Sequence, residues 1–162
     1  MTELSSEQFA ERTQDHLNKY IAAADQKASI LLTGQFAFLG LTASTVNNLI
    51  ETAGDTFLYL SIGMVVVGIT GIFLSIVVIY PRTPSPEKGF IYWGNITAHS
   101  SAKEFQNAFE DLSESKLSNK LVTQNYMLAK VANKKYGYLR WSLRATALMV
   151  ILASLAGIVY IM

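Results

Sequence analysis

Charged and apolar positions divide this chain into long blocks. No Asp, Glu, Lys or Arg stands between Lys27 and Glu51, between Asp55 and Arg82, or after Arg144, which leaves charge-free stretches of 23, 26 and 18 residues. A helix needs roughly 20 apolar residues to cross a hydrocarbon core of about 30 Å. The pattern predicts an all-α integral membrane protein with three transmembrane helices and cytoplasmic helices continuous with them. By segment, it gives a cytoplasmic amphipathic helix over 1–28, a transmembrane hairpin over 29–80, a cytoplasmic helical segment over 81–142 and a third span over 143–162.

Local signals refine these elements. Ser5 with Gln8 fits a capping box, in which each side chain satisfies a free N–H of the first turn. Phe9, Thr13, Leu17, Tyr20 and Ala24 then make one semi-apolar stripe at helical spacing. Nothing between Ala22 and Leu32 breaks a helix, so this segment is expected to run into the first span. That span is the most polar of the three, with Thr33, Gln35, Thr42, Ser44, Asn47 and Asn48. Such residues favour protein neighbours over lipid. The second span contains Gly71 and Ser75 as a small-xxx-small packing face. Pro81, Pro84 and Pro86 forbid its continuation and predict an extended exit. An aromatic loop follows, Gly89-Phe90-Ile91-Tyr92-Trp93-Gly94. Ser101 with Glu104 forms a second capping box and opens a helix with Phe105, Phe109 and Leu112 on one face. A break is expected near 113–118, and one helix then runs into the third span.

Charge sets the expected topology. All 13 Lys and Arg lie in the first 27 residues (3) or between Arg82 and Arg144 (10), while the short turn after span one holds only Glu51 and Asp55. Basic residues near spans stay cytoplasmic. The N-terminus and the middle segment are therefore expected inside and the C-terminus outside. The first 27 residues are polar and lack the short apolar core of a secretory signal. A net charge of +1 argues against a general affinity for nucleic acid.

Little here suggests catalysis. There is no cysteine, so no thiolate metal site and no cysteine nucleophile; His16 and His99 are the only histidines and show no metal-ligand spacing. No phosphate loop and no nucleophile elbow is present. The reading is non-enzymatic, with no metal and no cofactor. Two features invite a binding role. One is Asp25 and Lys27 at the inner mouth of the first span, where charges need a partner or water. They are read as a boundary pair at headgroup level, a buried polar contact with the middle segment, or a ligand site. The other is the basic run Lys130, Lys134, Lys135, Arg140 and Arg144, which has no acid within it. It suits anionic lipid headgroups or a phosphate-bearing ligand, with Tyr136, Tyr138 and Trp141 nearby.

Tyr20-Ile-Ala-Ala-Ala-Asp-Gln-Lys-Ala-Ser-Ile-Leu-Leu at the membrane mouth resembles the signature of the membrane effectors of Pycsar antiphage systems. Two spans, the proline exit, Tyr92-Trp93-Gly94-Asn95-Ile96, Glu104-Phe105 opening a helix and Lys134-Lys135-Tyr136 before the last span are similar to later parts of that family. Trp93 stands where the family more often has Phe. The resemblance covers nearly the whole chain. It implies a partner cyclase that makes a cyclic mononucleotide, cUMP or cCMP, and a homo-oligomeric effector in the bacterial inner membrane that compromises the bilayer and causes abortive infection. The residues expected to meet the ligand are Asp25, Lys27, Tyr92, Trp93, Asn95, Lys134, Lys135, Tyr136 and Arg140. Two other roles stay open on the residues alone: a membrane scaffold that recruits a cytoplasmic partner, and a small constitutive channel subunit.

Overall fold

In a computed structural model of the protein, residues 5–49, 52–80, 88–90 and 93–162 are described. Among these residues five helices follow in order: α1 (Ser6–Leu49), α2 (Asp55–Ile79), α3 (Trp93–Thr97), α4 (Ala102–Glu110) and α5 (Glu114–Ile161). No strand occurs among the described residues. α1, α2 and α5 are each long and apolar enough to cross a membrane. The protein is an all-α, multi-pass membrane protein.

The helix ends follow local chemistry. Ser5 Oγ accepts from the Gln8 N–H at 3.2 Å and Gln8 Oε1 accepts from the Ser5 N–H at 3.3 Å, which completes the first capping box. α1 then runs unbroken through the first span, as expected from the lack of any breaker. α2 ends at Ile79, with Tyr80 in an extended conformation and its N–H donating to the Ile76 carbonyl. The prolines expected to force that exit lie outside the described residues, as do Ile91 and Tyr92. At the second box Ser101 Oγ accepts from the Glu104 N–H at 3.2 Å. The Glu104 carboxylate reaches Ser100 rather than Ser101.

Two expectations are corrected. The break after α4 covers only Asp111–Ser113, and α5 already starts at Glu114. The serines and asparagine at 113–119 resemble a loop in composition, but polar side chains are tolerated on an exposed helix surface, and Glu114 in the first turn suits the helix dipole. In the N-terminal stripe, Phe9 and Tyr20 are exposed. Ala24 of the stripe is fully buried, and off the stripe Ala10 is buried too, its carbonyl accepting from Asn125 Nδ2 at 2.8 Å.

The chain forms two compact units. The polar unit comprises Met1–Ile21 and Pro81–Asn133; the span unit comprises Ala22–Tyr80 and Lys134–Met162. Within the span unit, Ala24, Ala28, Val78 and Leu139 form the apolar core, with Leu31, Ile79 and Tyr136 packed against it. Phe57 at the start of α2 and Tyr160 near the end of α5 close the far end, ring centroids 5.8 Å apart. Val66, Ile69, Phe73, Ile151 and Ile158 point outward. That inversion is expected when the solvent is lipid, because apolar side chains then gain nothing by turning inward. Within the polar unit, Phe90, His99, Phe105 and Phe109 form an aromatic cluster with centroid separations of 5.3–6.3 Å.

Candidate functional site

The span unit is built on a seven-residue repeat. The buried positions of α2 are Phe57, Ser61, Met64, Gly68, Gly71, Ser75 and Val78, which alternate steps of four and three. Buried Lys135, Leu139, Ser142, Met149 and Ala156 on α5 keep the same register, and so do Ala24, Ala28 and Gln35 on α1. A strict repeat of this kind keeps one seam of each helix facing its neighbours. The polar members of the seam are therefore forced together, and they form two layers.

The first layer is at the inner mouth. Lys135 has only 6% of its side chain exposed, and its ammonium donates to the Asp25 carboxylate of α1. It also donates at 2.7 Å to the Val78 carbonyl of α2. Val78 O is one of the last four carbonyls of α2, which have no partner within the helix. A cation there also meets the negative end of the helix dipole. One ammonium thus caps α2 and pairs α1 with α5. Asp25 keeps 35% of its side chain exposed. Lys27 lies on the outside, its Nζ 5.8 Å from the centre of the Tyr136 ring.

The second layer is deeper and uncharged. Gln35 Nε2 donates to Ser142 Oγ at 3.1 Å and to Thr146 Oγ1 at 2.7 Å. The Ser142 hydroxyl donates to the Gly71 carbonyl at 2.9 Å, and the Thr146 hydroxyl to the Ser142 carbonyl. Ser75 Oγ then has its single proton to share between Gln35 Oε1 at 3.2 Å and Ser142 Oγ at 2.7 Å. Every donor in the layer has an acceptor. A β-carbon on Gly71 would stand 2.8 Å from Gln35 Nε2 and 3.3 Å from the Ala145 β-carbon, so glycine is required for the close approach. The packing face expected at Gly71 and Ser75 is thus the seam itself. Beside Gln35, a groove of about 310 Å³ opens, with Ile30, Phe38 and Met149 in its walls. The hydroxyls of Thr33 and Thr45 bond back to carbonyls four residues earlier, which satisfies them on the outer surface of α1.

The anticipated binding residues divide as follows. Asp25 and Lys135 meet directly; Lys27 and Tyr136 stack; Lys134 and Arg140 are exposed. All six belong to the span unit. Tyr92 lies outside the described residues. Trp93 and Asn95, expected in a loop, belong to the short helix α3 of the polar unit. Asn95 packs beneath Gly89, whose N–H donates to its carbonyl at 3.2 Å. The residues that sequence reasoning passed over are Ser142, Thr146, His99 and the ligand-like setting of Glu104. Gln35 and Ser75 were noticed only as polar or small.

Around Glu104, Lys88 Nζ donates to Oε1 at 2.5 Å. The Ser100 N–H donates to Oε2 at 2.8 Å and the Ser100 hydroxyl at 2.5 Å. These bonds, led by Lys88, hold the carboxyl down to about pKa 2. His99 is buried, with Nε2 3.3 Å from the Gly89 carbonyl and Nδ1 4.0 Å from Glu104 Oε1. Among the described residues, Nδ1 has no hydrogen-bond partner. No group of His, Cys, Asp and Glu able to hold a metal ion occurs among the described residues.

A family described as the Pycsar effector protein domain matches residues 9–162. The Pycsar effector protein SaPycTM of Staphylococcus aureus is 31% identical to this chain over 138 residues, which cover 85% of each protein. No solved structure matches the chain.

Proposed function

The chain belongs to the Pycsar effector protein family and is a membrane effector of antiphage defence, and from that premise we propose that a cyclic mononucleotide activates it. The activator is a cyclic pyrimidine, cUMP or cCMP, supplied by a partner cyclase. The activated protein, as a homo-oligomer, impairs the inner membrane and ends growth of the infected cell. It does so without catalysis and without a cofactor. The N-terminus and the middle segment face the cytoplasm.

The observation that carries this reading is the polar seam of the span unit. The three helices are held at the mouth by Lys135, Asp25 and the Val78 carbonyl, and deeper in by Gln35, Ser75, Ser142 and Thr146. A dispersion-packed apolar seam would have one arrangement. A satisfied polar network also fixes one arrangement while the seam is dry, but water or a second copy entering it can take over the same hydrogen bonds, so a second arrangement lies within reach. The ligand has to bind that second arrangement more tightly, since equal affinity for both shifts nothing. On the surface, Lys134 and Arg140 suit anionic headgroups.

Dye uptake and membrane potential in cells expressing the protein, with and without a pyrimidine cyclase, test the proposal. Permeability is expected only when the cyclase is present. Permeability without a cyclase would favour a constitutive channel. No change under any cyclic mononucleotide would leave a scaffold as the better reading.

A further inference from the structure

The bonds around Glu104 differ from those of a plain capping box. In that motif the acidic side chain returns to the N–H of the capping residue itself. Here the capping residue is Ser101, yet the carboxylate accepts from the N–H and hydroxyl of Ser100 and from the Lys88 ammonium. Three donors from outside α4 converge on two carboxylate oxygens in front of the N-terminus of a nine-residue helix. Such a place favours an anion through both free N–H groups and the helix dipole.

A second observation points the same way. The His99 side chain is 4% exposed, and its Nδ1 stands 4.0 Å from Glu104 Oε1, too far to bond. Its other nitrogen is held by the Gly89 carbonyl. With Nε2 donating to Gly89, Nδ1 is left as a buried, unpartnered nitrogen beside the cradle, and in the imidazolium form it would donate to an anion bulkier than the carboxylate. The cradle also has an open side. The Lys88 side chain is 59% exposed and that of Glu104 34% exposed, so the carboxylate can swing into solvent. Beside the cradle runs the aromatic cluster, from His99 through Phe105 to Phe109, whose ring is half exposed. Phe109 stands one ring beyond the cradle's neighbours Phe90 and Phe105, and its exposed face offers a nucleobase a stacking surface.

We propose that the Lys88, Ser100 and His99 cradle is the site of the cyclic phosphodiester and that Glu104 occupies it in the resting protein as a built-in competitor. The proposal rests on the ligand reading above. All of its residues belong to the polar unit. A phosphodiester presents two equivalent anionic oxygens, as the carboxylate does, and its greater bulk reaches toward Nδ1. The displaced Glu104 keeps its charge in water.

The test is binding of cUMP to the purified full-length protein in nanodiscs, followed by calorimetry. Glu104→Gln keeps the shape of the side chain and removes the competing charge. It is expected to tighten binding roughly tenfold, about the value of one charge-assisted contact. Lys88→Met and Ser100→Ala are expected to weaken binding roughly fivefold or more. Misfolding does not produce a gain in affinity, so the Glu104→Gln result stands free of stability effects. A wild type that binds cUMP while Glu104→Gln binds equally or more weakly overturns the cradle and leaves the ligand reading intact. If neither protein binds any cyclic mononucleotide, both readings fall. Phospholipid headgroups carry the same phosphodiester, so displacement of bound cUMP by excess short-chain phosphatidylglycerol would assign the cradle to lipid and overturn the proposal.

Discussion

Replacing one partner of the Lys135 and Asp25 pair does not have the same consequence on both sides. Lys135→Met leaves Asp25, which already reaches water with 35% of its side chain exposed, so the orphaned carboxylate is hydrated. Asp25→Asn leaves a buried ammonium with neutral acceptors alone, the new amide oxygen and the Val78 carbonyl, and no countercharge. Breaking a buried pair costs about 3–5 kcal/mol when the survivor stays dry, and much less when it does not. Asp25→Asn is therefore expected to cost about 3 kcal/mol and Lys135→Met about 1–2 kcal/mol, read as unfolding midpoints in nanodiscs. The exchanged pair Asp25→Lys with Lys135→Asp should recover part of the loss, because the attraction returns but the cap on Val78 does not. An exchanged pair less stable than both single variants would remove the electrostatic account. Glu104 gives a pH prediction. Its carboxyl is held near 2 in the folded protein, below the ordinary carboxylate value, so the stability it contributes is present above that ordinary value and fades as pH falls toward 2. Exchange of the Ser100 amide proton, compared with that in Glu104→Gln, should show the loss between about pH 4.5 and 2. The Glu104→Gln protein should lack that step. At this scale the sequence was only partly legible. It exposed a charged pair at the mouth, yet five basic residues between Lys130 and Arg144 compete for Asp25. Lys135 is the one in register with Leu139, Ser142 and Met149, and that register was the available clue.

Elements were more legible than pairs, because a helix is fixed by signals a few residues apart. Both capping serines, the unbroken course of α1 and the union of the final helix with the third span could be read directly. The start of α5 could not, since serine and asparagine serve a loop and an exposed helix face equally well. The seven-residue repeat was also missed: in lipid both faces of a span are apolar, so the contrast that marks a buried stripe in a soluble helix is absent. Small and polar residues mark the seam instead. This yields a test at Gly68 and Gly71. An added methyl at Gly68 meets the Met149 sulfur at 2.8 Å and the Leu39 methyls at 2.9 Å, all of them far ends of flexible chains. At Gly71 it meets a Gln35 amide fixed by hydrogen bonds, and the Ala145 β-carbon, which moves only with its backbone. Gly71→Ala should therefore cost about 2 kcal/mol and Gly68→Ala under about 1 kcal/mol. Gln35→Met, which keeps volume and removes the bonds, should cost about 1 kcal/mol, since hydrogen bonds between spans average well below their value in apolar solvents. Equal midpoints for the two glycine variants would mean that the Gln35 layer yields as freely as a methyl group.

Orientation belongs to the whole chain, because it comes from how charge is distributed among loops rather than from any one residue. The distribution is complete: every Lys and Arg lies before the first span or between the second and third, and the short turn has acids alone. Moving a basic loop across the bilayer is what the bias opposes, and acids contribute little to it. Absence of cysteine makes the consequence measurable, since one introduced thiol is the only one in the molecule. Thr52 in the turn after α1 and Ser115 in the first turn of α5 are both exposed. Replacement by cysteine at either costs one exposed local hydrogen bond, to the Leu49 carbonyl or to the Ser113 hydroxyl. In right-side-out membrane vesicles a membrane-impermeant maleimide is expected to label Thr52→Cys at once and Ser115→Cys only after the bilayer is permeabilised. The same pair reports on function. If the active state opens the membrane to small solutes, production of the cyclic nucleotide inside the vesicles should itself let the reagent reach Ser115→Cys, while labelling of Thr52→Cys stays constant. Labelling of Ser115→Cys in the resting state would reverse the topology and place the Glu104 cradle on the side where no cytoplasmic cyclase can supply it.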